Sequence, residues 1–343
     1  MKLRRLAVIG IVMVGVFVAL ASPRHRPPAQ PDEVTDLKVT IQEWAVPTKG
    51  AHPHDPAVGA DGSLWFTEQM SNKLGRLDPR TGDFREYPLT DGKNAGPHGL
   101  VADRDGNIWF TANFGGYIGK LDPHTGRVAE YKMTNEKADD PHSLAFDAKG
   151  ILWFTVQGGN MVGRLDPQDG RIILKEVPTE SALPYGIQIN SKGVPVFCEL
   201  GTNKMASIDP EDLEIKEYPL PASARPRRLA IAADDTVYFT DYKSGHLGVL
   251  NTSTGAVKLY PSPGGPDSNP YGITITPDGL VWYSESGVQP NTIIRFDPKT
   301  ETFARANIPS GGGTVRNMAA TSDGRVFIAC SGVDKVGVVE RKK

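Results

Sequence analysis

The chain has 343 residues, enough for one large repeat domain or two ordinary ones, and a formal net charge of −2. That net charge gives no sign of a nucleic-acid surface, so no nucleic-acid partner is expected. The 37 Gly and 28 Pro fit a chain with many tight turns.

The first element reads as an export signal. Lys2, Arg4 and Arg5 form a basic start, Leu6 to Leu20 is apolar, and Ala19-Leu20-Ala21 is a small-x-small cleavage site. The apolar run is short for a bilayer span, which needs about 20 residues. A cleaved signal over residues 1–21 is therefore expected, with export to the periplasm or beyond. An uncleaved anchor is the alternative and would be the chain's single link to a membrane. Loss of residues 1–21 takes the net charge from −2 to −5. Residues 22–36, rich in Pro and polar side chains, read as a flexible leader.

Residues 37–343 read as one repeat domain. "PHDPAVGADGSLWFT" starts at Pro53, "PHGLVADRDGNIWFT" at Pro97 and "PHSLAFDAKGILWFT" at Pro141, 44 residues apart. Four weaker copies follow, near Leu183, Arg225, Asn269 and Thr314. Each copy holds four strand-like runs, as in "HGLVAD", "NIWFTAN", "YIGKLD" and "RVAEYKM". Asp-Gly between the first two runs favours a tight hairpin, and "DPRTG" or "DPHTG" places Pro and Gly where turns need them. No long 3.6-residue apolar period occurs, so helix should be nearly absent. The fold class predicted is all-β: a seven-bladed propeller of four-stranded antiparallel blades. The seventh copy lacks its fourth run. The stretch "KVTIQEWAVP" at residues 38–47 is spare, so the N-terminal strand should complete blade seven and close the ring. Such a ring is expected to act as a monomer. Cys198 and Cys330 fall in blades four and seven, which are not neighbours, so two free thiols are expected.

In a propeller the first strand of each blade lines a central channel. The side chain after the first residue of that strand reads, around the ring, His54, His98, His142, Tyr185, Arg227, Tyr271 and Arg316. Second strands end in Glu68, Glu199, Asp241 and Glu285 in four blades. Imidazoles and carboxylates should therefore meet at one rim, suited to a small-molecule or cyclic-peptide ligand at the channel mouth, with a base near the working pH. Duplication alone would also copy Pro-His starts without any function. One grouping, His52, His54 and Glu68 in blade one, would suit a transition metal.

The blade phrase "GPHGL…DGNIWFT…IGKLDP…EYPLP" resembles the virginiamycin B lyase, or streptogramin lyase, family over residues 38 to 340. That resemblance implies a carbon–oxygen lyase that opens a cyclic depsipeptide ester by elimination, with Mg2+ polarising a carbonyl and a histidine as base. Carried over by motif, it makes His142 the base, Asp140 a metal ligand, and His98 and Tyr185 substrate contacts. Gln157 falls where the family has a second carboxylate. Two rivals remain open. One is a non-catalytic ligand- or protein-binding propeller. The other is a metal-dependent lactonase-like hydrolase built on Glu68, Asn113, Glu199, Asp241 and Glu285.

Overall fold

The computed structural model describes residues 34–89 and 94–342. The export signal and most of the leader lie outside the described residues. Seven sheets of antiparallel strands follow one another in chain order. In the first, Pro53–Val58 is innermost, followed outward by Leu64–Glu68, Lys73–Asp78 and Asp83–Pro88. The other innermost strands are Pro97–Ala102, Pro141–Phe146, Pro184–Ile189, Pro226–Ile231, Pro270–Ile275 and Val315–Ala320. Each packs beside the next, and the seventh packs beside the first. Helix is confined, among the described residues, to the 3-10 turn Ser331–Val333.

Closure is by the N-terminal strand. Val39–Ala45 pairs antiparallel with Lys335–Arg341 as the outer edge of blade seven. Val34–Asp36, read from composition as the end of the leader, instead adds a parallel strand to the outer edge of blade six. Leu37 continues that attachment, its N–H donating to the Arg305 carbonyl at 2.8 Å. One short segment thus ties the sixth blade to the seventh. Asp334 secures the other side of blade seven, accepting hydrogen bonds from the N–H groups of Gly50 and His52.

The core is divided among the blade interfaces. Trp65, Leu74 and Tyr87 of blade one pack on Ile108, Phe110 and Leu121 of blade two, and six similar clusters fill the remaining junctions. This explains the successive apolar residues of "LWFT" and "IWFT". A second strand has a neighbouring blade on each face, so all five of its residues are buried. Small residues in the third strand make the fit possible. At Gly119, a methyl would stand 2.1 Å from the Phe110 ring.

Candidate functional site

Each innermost strand carries a bulge just inside the channel mouth. Pairing with the second strand shifts register between the first residue and the fourth, as between Pro141 and Leu144. All seven blades do this. A bulge leaves a backbone group without its ladder partner. In five blades a hydroxyl from the second strand fills the gap. The Thr111 hydroxyl accepts from Gly99 N–H at 2.7 Å and donates to the His142 carbonyl of the next blade at 2.8 Å. Thr67, Thr155, Thr240 and Ser284 repeat the arrangement. Cys198 and Ala329 hold that position in the other two blades.

The bulge places two consecutive residues of each blade at the channel, giving two tiers. The upper tier is the ring anticipated from the blade starts. His54 and His98 have ring centroids 3.9 Å apart, His98 and His142 3.8 Å, and His142 and Tyr185 3.8 Å. The Tyr185 and Tyr271 hydroxyls share a hydrogen bond of 2.5 Å. The Arg227 guanidinium lies between them, 3.9 Å from the Tyr271 ring centre and 5.1 Å from that of Tyr185. Arg316 completes the circuit, 5.9 Å from Tyr271.

The lower tier is held by ions. Asp55 meets Arg228 at 2.8 Å, and both are almost wholly buried. The same carboxylate oxygen accepts from His54 Nδ1 at 2.8 Å, and the second oxygen accepts from the Asn317 amide at 3.0 Å. Arg228 also donates to the Ser143 hydroxyl at 3.1 Å, which in turn meets His142 Nδ1 at 3.1 Å. Asp55, Ser143, Arg228 and Asn317 then border a cavity of about 480 Å³ walled by aliphatic residues such as Leu229 and Ile273.

Electrostatics keep the imidazoles neutral. Burial is the largest cause and pushes His54, His98 and His142 well below the ordinary histidine value; the nearby Arg228 charge adds to it at each. His54 donates from Nδ1 to a carboxylate and His98 from Nδ1 to the His142 carbonyl at 3.2 Å. With Nδ1 protonated, a neutral ring carries its lone pair on Nε2. The row is thus a set of neutral nitrogen bases.

The anticipated site residues are distributed as follows. His98, His142 and Tyr185 form one row of adjoining, mutually tilted rings. Asp140 stands at the start of the same blade as His142, but its carboxylate accepts from Gly158 N–H at 2.5 Å and Gly159 N–H at 3.2 Å. Burial raises its pKa despite these two donors. The Gln157 backbone N–H bonds the Asp140 carbonyl. His52 is half-buried with its ring centroid 6.2 Å from that of His54. The acidic residues of the second-strand ends are taken up locally: Glu68 by Ser71, Glu199 by Thr202, Asp241 by the Arg225 N–H, and Glu285 by Ser262, Gly264 and Thr292. Asn113 donates to the Pro141 carbonyl. The carboxylate that does reach the imidazoles is Asp55, which the blade phrase alone does not single out.

His54, Asp55 and His98 form the one cluster, among the described residues, of at least three His, Cys, Asp or Glu with ligand atoms within 4.8 Å of one another. It is a possible metal site of two imidazoles and one carboxylate. Such a set favours a transition metal, whereas magnesium takes oxygen ligands in a near-octahedral shell. Both Asp55 oxygens are already engaged, one of them by a guanidinium. This cluster therefore does not fit magnesium.

Comparison with known proteins agrees with the geometry at the level of fold and family. The model of the virginiamycin B lyase family matches residues 33–208 and 193–342. A streptogramin B lyase structure superposes with a TM-score of 0.81 at 25% identity, covering 89% of this chain and 98% of the other. Virginiamycin B lyase from Staphylococcus aureus gives a TM-score of 0.79 at 26% identity, covering 88% and 99%. A catalytically inactive histidine-to-alanine variant of that enzyme, crystallised with quinupristin, gives 0.79 at 25% identity, covering 88% and 99%. No curated protein sequence matches the chain. On two matched segments that together span almost all of its described residues, this chain belongs to the virginiamycin B lyase family.

Proposed function

We propose that the protein is an exported carbon–oxygen lyase that opens an ester-closed cyclic peptide at the channel mouth. The observation that carries this reading is the row of neutral imidazoles beside three arginines. In the reaction, His142 takes a proton from a carbon of the substrate. The freed electron pair forms a carbon–carbon double bond, and the adjacent carbon–oxygen bond breaks to release a carboxylate. No water is consumed. His98 and Tyr185, whose tilted rings pack against that of His142, hold it in place. No step is assigned to magnesium; the negative charge that develops is met by guanidinium groups. The relative crystallised with quinupristin supports a cyclic peptide as ligand, and the basic-apolar start of residues 1–21 supports export.

The second reading is a non-catalytic binding propeller. It is favoured by the burial of His142, whose exposure is 2%. A lactonase-like hydrolase is less well supported, because its carboxylates are dispersed among separate local networks.

Mass spectrometry of a streptogramin B-type depsipeptide incubated with the protein separates all three. Elimination yields a linear product of unchanged mass, and His142→Ala should abolish it while the circular dichroism spectrum is retained. A product heavier by one water marks a hydrolase. Bound but unaltered peptide marks the binding module.

A further inference from the structure

The two tiers bring together three guanidinium groups, those of Arg227, Arg228 and Arg316, and one carboxylate, that of Asp55. The three histidines supply no negative charge and so offset none of it. Asp55 answers Arg228. Among the described residues, neither Arg227 nor Arg316 has an ion pair with a carboxylate. Arg227 rests against the rings of Tyr185, Tyr242 and Tyr271 and gives one long hydrogen bond, 3.4 Å, to the Tyr185 hydroxyl. Arg316 lies 5.9 Å from the centre of the Tyr271 ring and is close enough to His52 and His54 to bias their charge. The Nε atoms of both arginines are buried without a partner.

A half-buried guanidinium has five donors, and leaving most of them unmatched away from water is costly. Contact with an aromatic face recovers only part of that cost. Two such groups against one ring also repel each other. A protein keeps such an arrangement most readily when something negative sits between them. Both side chains retain some exposure at the mouth, so a ligand group can reach them. Their planar forks match the paired oxygens of a carboxylate.

We propose that Arg227 and Arg316, on the ring of Tyr271, form a carboxylate receptor. On the lyase reading, which this assignment deepens, its occupant is the carboxylate that ring opening releases. The guanidinium pair then withdraws charge from the departing oxygen.

The test uses N-acetylphenylalanine and its neutral amide as probes, in calorimetric titrations against the mature protein at low salt. The acid should bind and the amide should not. Arg316→Met should weaken acid binding at least tenfold, and raised salt should weaken it in the wild type. Arg227→Met is a second arm, used if its melting curve shows it folded; Arg316 packs less and keeps the test open otherwise. Inorganic phosphate as competitor decides whether the receptor takes anions in general or a carboxylate in particular. Equal binding of acid and amide, or undiminished binding by Arg316→Met, would overturn the proposal. The lyase reading fails separately. A protein that binds the acid but leaves cyclic depsipeptides intact keeps the receptor and loses the reaction. One that opens the ring with no affinity for the acid keeps the reaction and loses the receptor.

Discussion

Asp55 in blade one and Arg228 in blade five, 173 residues apart in sequence, meet across the channel at 2.8 Å. The pair bridges the ring like a spoke. Removing one partner leaves the other buried and unpaired, which costs about 3–5 kcal/mol. Arg228→Met should therefore lower stability by that order in urea denaturation. Asp55→Asn combined with Arg228→Met should recover a substantial part. A double variant as unstable as the single one would show that lost packing, not stranded charge, is responsible.

The bulge hydroxyls should matter beyond their size. Thr111→Val keeps the shape but strands the Gly99 N–H and leaves the His142 carbonyl with the His98 ring alone. Each unsatisfied buried group costs about 1–3 kcal/mol. The exposed Thr300→Val should stay within about 0.5 kcal/mol of wild type. Equal melting temperatures for the two variants would refute the bridging role.

Two carboxyls give stability a distinctive pH dependence. Burial raises Glu68 and Glu199 from an ordinary 4.5 to about 7. The folded state thus binds their protons more tightly than the unfolded chain. Their contribution is fully present below pH 4.5 and is lost as pH rises through about 7. Wild-type stability should fall, relative to the Glu68→Gln/Glu199→Gln variant, across that window. Parallel pH profiles for the two proteins would count against it.

Closure is open to a direct trial. Deleting residues 34–45 removes the outer strand of blade seven and the added strand of blade six. It bares the edge Lys335–Arg341, and unpaired edges invite association. Calorimetry should show a lower melting temperature, and light scattering a concentration-dependent aggregate. An unchanged melt would mean that the ring holds without its clasp.

The blades were legible because each carries its own turn chemistry, and because the spare run at residues 38–47 had one vacancy to fill. The upper tier was legible too, since His98, His142 and Tyr185 follow a repeated proline. The lower tier was not. In a regular strand consecutive side chains face opposite ways, so Asp55 beside His54 and Arg228 beside Arg227 read as belonging to the sheet faces. The bulge turns both inward, and its sole sequence mark is the Thr or Ser of the second strand. Glu68 and Glu285 misled in the opposite sense: their position at the rim is as expected, but serine and threonine hydroxyls nearby engage them first. Val34–Asp36 was hidden by its polar composition and its length of three residues.

The clasp has a consequence in time. Val39 pairs with Arg341, so the strand is made about 300 residues before its partner. At 5–20 residues per second, the intervening stretch of about 300 residues takes on the order of 15 to 60 seconds to emerge. Over that interval Ile41 and Trp44 have no sheet to join, while six blades are already able to form beside them. The final event of assembly is then a competition for one edge, between this waiting strand and any other extended segment that arrives first.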